Sequence, residues 1–155
     1  MSYTGSKSQS GRGTKVSIGP RSDVTGAPTY VVFGELKTAS RTGSQWATED
    51  VTNFDSGDDM EFRKTIRDNG MLNMAGNRVT GDAGQVAVKA AFDDADGVYL
   101  FKVEYPKAPG QITTGDVDTF TAIVESQDFT LEYNKINAFS VKLKISGRVA
   151  ETVGS

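Results

Sequence analysis

The clearest pattern in the chain lies near its C-terminus. There Phe139, Val141, Leu143 and Ile145 alternate with Ser140, Lys142, Lys144 and Ser146. A period of two puts each row on its own face of a strand, so residues 136–150 are predicted as a strand with one buried face. The same reasoning predicts a strand over 98–106, with Tyr99, Phe101, Val103 and Tyr105 on one face, and another over 119–126, with Phe120, Ala122 and Val124 inward. "PTYVVFGEL" (28–36) is rich in strand-forming residues and "MLNMAGNRV" (71–79) alternates weakly, so both read as strands. Residues 127–135 read as a short strand or a turn-rich segment. "MEFRKTIRDNG" (60–70) fits strand alternation or one face of a short helix, and its "DNG" signals a turn.

One segment has helical spacing, "TGDAGQVAVKAAFDDADG" (80–97). Asp82 is the expected N-cap, with Gln85 three residues on, close to a capping box. Val86 and Ala90, flanked by Ala87, Ala91 and Phe92, mark the expected apolar face, and Gly97 the expected C-terminal cap. The helix is placed at about 83–95. Six or seven strands and one helix give a mainly β fold, a β-sandwich or partly closed barrel with one flanking α-helix.

Two long stretches break the pattern. Residues 1–28 hold five glycines, two prolines and many serines and threonines, with Val16, Ile18, Val24 and Ala27 the only aliphatic residues past Met1. Such a segment does not offset its ordering entropy with a core of its own. It is a disordered leader or an arm that orders on something else. Residues 37–59 form a long polar connection containing the single tryptophan, Trp46. Its length points to a functional loop or an extended hairpin. The division expected is therefore an arm over 1–27 and a β domain over 28–155.

Charge sharpens this division. Residues 1–27 carry Lys7, Arg12, Lys15 and Arg21 against Asp23, a net +3, while 28–155 carry 13 basic and 19 acidic groups, a net −6. One copy's basic arm can meet another copy's acidic body, or the tail can serve solubility alone. An acidic body argues against tight binding of nucleic acid.

The chain contains neither cysteine nor histidine. This removes disulfides, thiol nucleophiles, Cys/His zinc sites, Ser-His-Asp triads and histidine bases from consideration. "DDADG" (93–97) fails the EF-hand pattern, because position 1 would be Phe92 and position 12 Val103. It reads as a solvated helix end. In "DSGDD" (55–59) Ser56 reads as the cap of a short helix, with Asp58, Asp59 and Glu61 near its positive end. The glycines at 5, 11 and 13 follow no strand and open no helix, so they are not a phosphate loop. No apolar h-region opens the chain and no apolar run is long enough to span a bilayer, so folding in a cytoplasm is expected. Trp46 is either an interface anchor or tucks back on its own domain.

The segment "IRDNGMLNMAGNRVTGDAGQVAVKAAFDDADGVYLFKVEYP" (66–106) resembles the core of tail tube proteins from long, non-contractile-tailed bacteriophages. "TFTAIVES" followed by "AFSVKLKISGRV" is similar to the family's final strands, and "TNFDS" (52–56) sits where the family has a short motif. Together these span roughly residues 50–150. The resemblance implies a structural virion protein, not an enzyme, with no cofactor. Six copies would form a ring, their sheets joining into one barrel. Rings would stack into the tail tube that conducts DNA into the host cell. The implied partners are the chain itself, a tape measure protein, a tail terminator and distal tail proteins; DNA passes without specific binding, and no membrane is engaged. Assembly would occur in the host cytoplasm and the product would reside in the virion tail. In that setting Lys7, Arg12, Lys15 and Arg21 are the expected inter-subunit arm contacts, Arg41 and Trp46 the inter-ring loop contacts, and Asp118, Glu125 and Asp128 the expected lumen-facing acids. Lys142 and Lys144 face either the lumen or a neighbour's acids. Alternatives are a standalone β-sandwich binding or adhesion module, and a tube subunit of a contractile or secretion system.

Overall fold

The computed structural model describes residues 10–155. In chain order the elements are β1 (Lys15–Arg21), β2 (Val31–Val32), β3 (Leu36–Thr42), β4 (Gln45–Asp50), β5 (Phe62–Asp68), β6 (Met71–Asn77), α1 (Ala83–Asp93), β7 (Tyr99–Glu104), β8 (Val117–Thr130) and β9 (Ala138–Thr152). Seven strands form an antiparallel sheet in the order β2-β1-β7-β8-β9-β6-β3, while β4 and β5 pair only with each other. The fold is mainly β with one helix, as the alternation predicts.

The sheet curls because its longest strands serve two neighbourhoods. β8 pairs with β7 over Val117–Ala122, and β9 pairs with β6 over Ala138–Lys144. The two run beside each other for nearly their full length, with irregular register between Thr119 and Thr121 and between Val124 and Ser126. Strands that bend at bulges carry a chain from one layer of a sandwich to the other. Here they divide the sheet into a proximal half (β2-β1-β7 with the ends of β8 and β9) and a distal half (β8-β9-β6-β3). Residues 33–35 connect β2, one edge of the whole sheet, directly to β3, the other edge. That short link draws the edges together at one end and makes the barrel partly closed.

The core lies inside the curl. Phe101, Phe120, Ala122, Val141, Leu143 and Ile145 are buried from the predicted inward rows, joined by Leu72 and Met74 of β6. Phe101 stacks on Phe120 at 6.0 Å and Phe33 on Phe139 at 6.4 Å between ring centroids. α1 covers the open side against β1, β2 and β8. Its N-cap is Asp82, which accepts from the Gln85 amide at 3.1 Å. Gln85 turns instead to the Val79 amide and the Asn77 carbonyl, so the capping box is not reciprocal.

Several expectations are corrected. The buried helix positions are Gly84, Val88 and Ala91, not the Val86–Ala90 row, and Asp94 rather than Gly97 ends the helix. Gly84 faces the strand because a Cβ there would lie 2.7 Å from the Val32 carbonyl oxygen. The strand expected over 28–36 shrinks to β2, since the chain must cross from edge to edge there. Above all, residues 1–27 are not a coreless arm throughout. Val16, Ser17 and Ile18 of β1 are buried, and β1 pairs with both β7 and β2. Two apolar residues alternating with one small serine suffice when a sheet edge waits to receive them. Any arm is therefore confined to the residues before β1.

Candidate functional site

The connection over 37–59 resolves into strands. β3 pairs with β6, and β4 pairs with β5, so the pair continues beyond the sheet as a second, projecting hairpin. The "MEFRKTIRD" segment is thus a strand, β5. Gly43 and Gly70 mark the bend, with φ of 80° and 86°. A Cβ on Gly70 would lie 2.1 Å from the Thr42 carbonyl oxygen, which restricts this position to glycine. The "DNG" turn signal marks this bend, where Asp68 accepts from the Gly70 amide at 2.8 Å, and not a chain reversal.

The hairpin is built but not buried. No residue from Gln45 to Arg67 is buried. Its distal loop is nonetheless ordered by its own polar groups. Asn53 caps the single turn Phe54–Ser56, accepting from the Asp55 amide at 2.8 Å, so Asn53 holds the role expected of Ser56. Ser56 donates to Glu61 Oε2 at 2.8 Å, and Thr52 accepts from the Glu61 amide at 2.9 Å. Trp46 lies between Lys64 and Arg67, whose cations sit 5.5 and 5.6 Å from its ring, and 43% of it remains exposed. Val51, Phe54, Met60, Phe62 and Ile66 are also exposed along the hairpin and its distal loop. A protruding apolar surface of this kind marks an interaction site. The structure separates the two residues expected together on an inter-ring loop. Arg41 lies in β3 below the bend, donating to the Asn69 carbonyl at 3.3 Å, while Trp46 lies in β4 above it.

Two strand edges of the distal half-sheet also lack strand partners among the described residues. One is β3 on its outer side. The other is β8 beyond Ala122, where β7 has left it. An unpaired edge is a template for pairing with another chain.

The expected lumen acids do not share a face. Asp118 is in phase with Phe120 and points inward, where it accepts from the Tyr105 hydroxyl at 2.8 Å and lines a cavity of about 320 Å³ with Leu72, Val103 and Val149. Burial, and then this bond, push the Tyr105 phenol up to about 12. The register shift between Val124 and Ser126 reverses the phase, so Asp128, opposite Ser140, falls on the outer face. Glu125 is the extra residue of that bulge, and it too is exposed on the side of Lys142. Lys142 and Lys144 occupy this face as well, and Lys144 is bound to Asp68 at 3.0 Å.

Of the expected arm cations, Lys7 lies outside the described residues. Arg12 is exposed, and Lys15 is exposed at the start of β1. Arg21 is already engaged within its own chain, with Asp94 at 2.9 Å and Asp23 at 3.3 Å. It is withdrawn from the arm set. Asp94 also accepts from the Tyr99 hydroxyl at 3.0 Å. That bond, with the Asp96 amide and the Arg21 charge, holds the Asp94 carboxyl below its usual range. "DDADG" is therefore a helix end tied into an ion pair rather than a merely solvated one.

A pH dependence follows. A carboxyl with a depressed folded pKa contributes stability that is present above its unfolded value, about 4, and lost as pH falls through the folded value. Asp68 and Asp116 are shifted in the same direction. The Tm is expected to fall below about pH 4. Asp94→Asn should lower the Tm at neutral pH and flatten that fall; thermal melts across the acid range with an unchanged slope would remove Asp94 from the account.

Among the described residues no group of His, Cys, Asp or Glu is placed to hold a metal ion, and no helix is long and apolar enough to cross a membrane.

No protein-family model and no curated protein sequence matches the chain. Solved structures do match. The chain resembles a subunit of the tail of the empty gene transfer agent particle, refined helically with C6 symmetry, at 19% identity and a TM-score of 0.69 over 94% of this chain and 100% of that one. It resembles the SPP1 tail tube at 16% identity and a TM-score of 0.64, over 92% of this chain and 77% of that one. It also resembles a component of the anti-feeding prophage baseplate at 10% identity and a TM-score of 0.68, over 97% and 98% of the two chains. At these identities the likeness establishes the fold. The chain has the tail-tube fold, the one that the segment 66–106 suggests.

Proposed function

We propose that this protein is a structural subunit of a phage tail tube, without catalytic function, assembled from six-membered rings that stack. The observation that carries the reading is the distal half-sheet with an unpartnered strand edge on each side. Joining β3 of one copy to the far half of β8 in the next is a head-to-tail contact. Repeated around six copies, it closes into a ring and leaves no open edge in the distal half-sheets. The likeness to a gene transfer agent tail refined with C6 symmetry, to a six-fold symmetrised baseplate and to the SPP1 tail tube supports six copies in a ring.

In such a barrel the outer face of the distal half-sheet is the lumen wall. It carries Glu125, Asp128 and Asp68 against Lys142 and Lys144, amid Thr38, Ser40, Asn73 and Ser140. Charges of both signs nearly cancel there. A duplex passing such a wall meets little net attraction, because retention of DNA requires clustered cations. A tape measure protein, a terminator, distal tail proteins and residence in the virion tail belong to this reading. A second reading, the tube of a contractile injection system, is favoured by the likeness to the anti-feeding prophage and to a sheath–tube complex of an extracellular contractile injection system. Co-purification with a sheath protein would select it.

The test is negative-stain electron microscopy of the full chain at rising concentration, with sedimentation in parallel. Hollow tubes or six-membered rings are expected. A chain that stays monomeric throughout, with its N-terminal residues intact, would sink the proposal.

A further inference from the structure

The distal half-sheet ends in an apolar projection at each end of its strands. At one end the β4–β5 hairpin leaves from Thr42 and Met71, beside Lys144 of β9. At the other, the turn 131–137 joins β8 to β9 just before Ala138, which pairs with Asn77 of β6. The seven-residue ladder Met71–Asn77 separates them, roughly 20 Å of strand.

The turn is unusual for a loop. Leu131, Tyr133 and Ile136 are 65%, 94% and 74% exposed, and Phe129 leads into them. Its two charges, Glu132 and Lys135, neutralise each other at 3.0 Å. A neutral apolar tip of this kind is unsuited to water and suited to a partner. Beside it, Arg78 lies 4.9 Å from the Phe129 ring and brings positive charge to that end. The hairpin's distal loop is the complement. Residues 51–62 hold Phe54, Met60 and Phe62 with four carboxylates (Asp55, Asp58, Asp59 and Glu61) and no base.

We infer that the turn 131–137 of one copy is the docking surface for the β4–β5 hairpin of a copy in the adjacent ring. The inference rests on the tube reading and names the partner surface of its projecting hairpin. The two surfaces differ and lie at opposite ends of the same strands. A contact between them is therefore heterologous and does not close on itself, so each ring presents hairpins at one end and turns at the other. The result is an open stack of one polarity.

The absence of cysteine from the chain makes the test clean. Ile136→Cys is combined in turn with Phe54→Cys, Phe62→Cys and Ile66→Cys, tubes are assembled, and a short bismaleimide is added. At least one pair is expected to give ladders of cross-linked chains that neither single-cysteine parent gives. A companion variant, Leu131→Asp with Ile136→Asp, is expected to keep the parental Tm and ring size. It should raise the concentration needed for tubes about a hundredfold, the effect of losing one or two buried apolar contacts. Intact tubes with no ladder from any pair, and stacking by the aspartate variant at the parental concentration, would overturn the inference while leaving the tube reading in place. Failure of the parent to form rings or tubes would overturn both.

Discussion

Deleting residues 1–21 is expected to abolish cooperative unfolding. The composition of this stretch marks it as expendable, but β1 lies inside it. Val16 is fully buried and Ile18 is 2% exposed. Burial of each is worth about 1.5–3 kcal/mol. Removing β1 also uncovers β7, whose Phe101 and Val103 sit opposite Ile18 and Val16. These losses approach the roughly 5–15 kcal/mol that holds a whole domain. Ile18→Ala alone should cost about 2–5 kcal/mol, read from urea melts, because the cavity left under the sheet edge is closed in by Phe101. A chain lacking residues 1–21 that still melted sharply near the parental Tm would show β1 to be dispensable. For the same reason, an arm deletion meant to test assembly must stop short of Lys15.

The second large effect runs the other way, on assembly and not on folding. Replacing residues 43–70 with Asn-Gly should leave a well-folded chain that builds no tubes. Thr42 and Met71 are register partners, so a two-residue turn joins them without strain. The segment removed contributes no buried side chain between Gln45 and Arg67. It does remove the Lys144–Asp68 pair, which is about two-fifths exposed at each end and, as a solvent-screened pair, contributes little to stability. The Tm should therefore fall only modestly, through loss of this pair and of the bonds made by Asn69 and Gly70 at the bend, while the apolar surface around Trp46 and Ile66 is gone. Tubes of normal length from this variant, seen by electron microscopy, would remove the hairpin from the assembly scheme.

The contrast between these two segments explains how far the sequence could be read. Alternation reports a strand only when one face is buried. It found β7, the first half of β8 and β9, whose inner rows pack on one another, and the Asp82 cap located α1. The hairpin strands bury neither face, so β4 reads as part of a polar loop and β5 fits strand alternation and a short helix alike. β1 was hidden for a different reason. Its buried row is short and is flanked by glycine, proline and charge, so nothing local distinguishes it from the residues before it. The expected surface residues divide in the same way. Trp46 was singled out because a lone tryptophan in polar sequence is conspicuous, and it lies part-exposed on the hairpin. Grouping Asp118 with Glu125 and Asp128 failed on parity: 118 and 125 are an odd number of residues apart and face opposite ways, while the bulge after Val124, which no residue type announces, moves Asp128 onto the face of Glu125.

The long β8–β9 ribbon has a mechanical consequence. Its strands run through both halves of the sheet, fourteen and fifteen residues without interruption. A load applied to one half is passed to the other as shear along their common ladder. In that direction the backbone hydrogen bonds of each regular stretch between the two bulges stretch together and share the load. A wall assembled from such ribbons resists being pulled lengthwise far better than it resists being peeled from an edge.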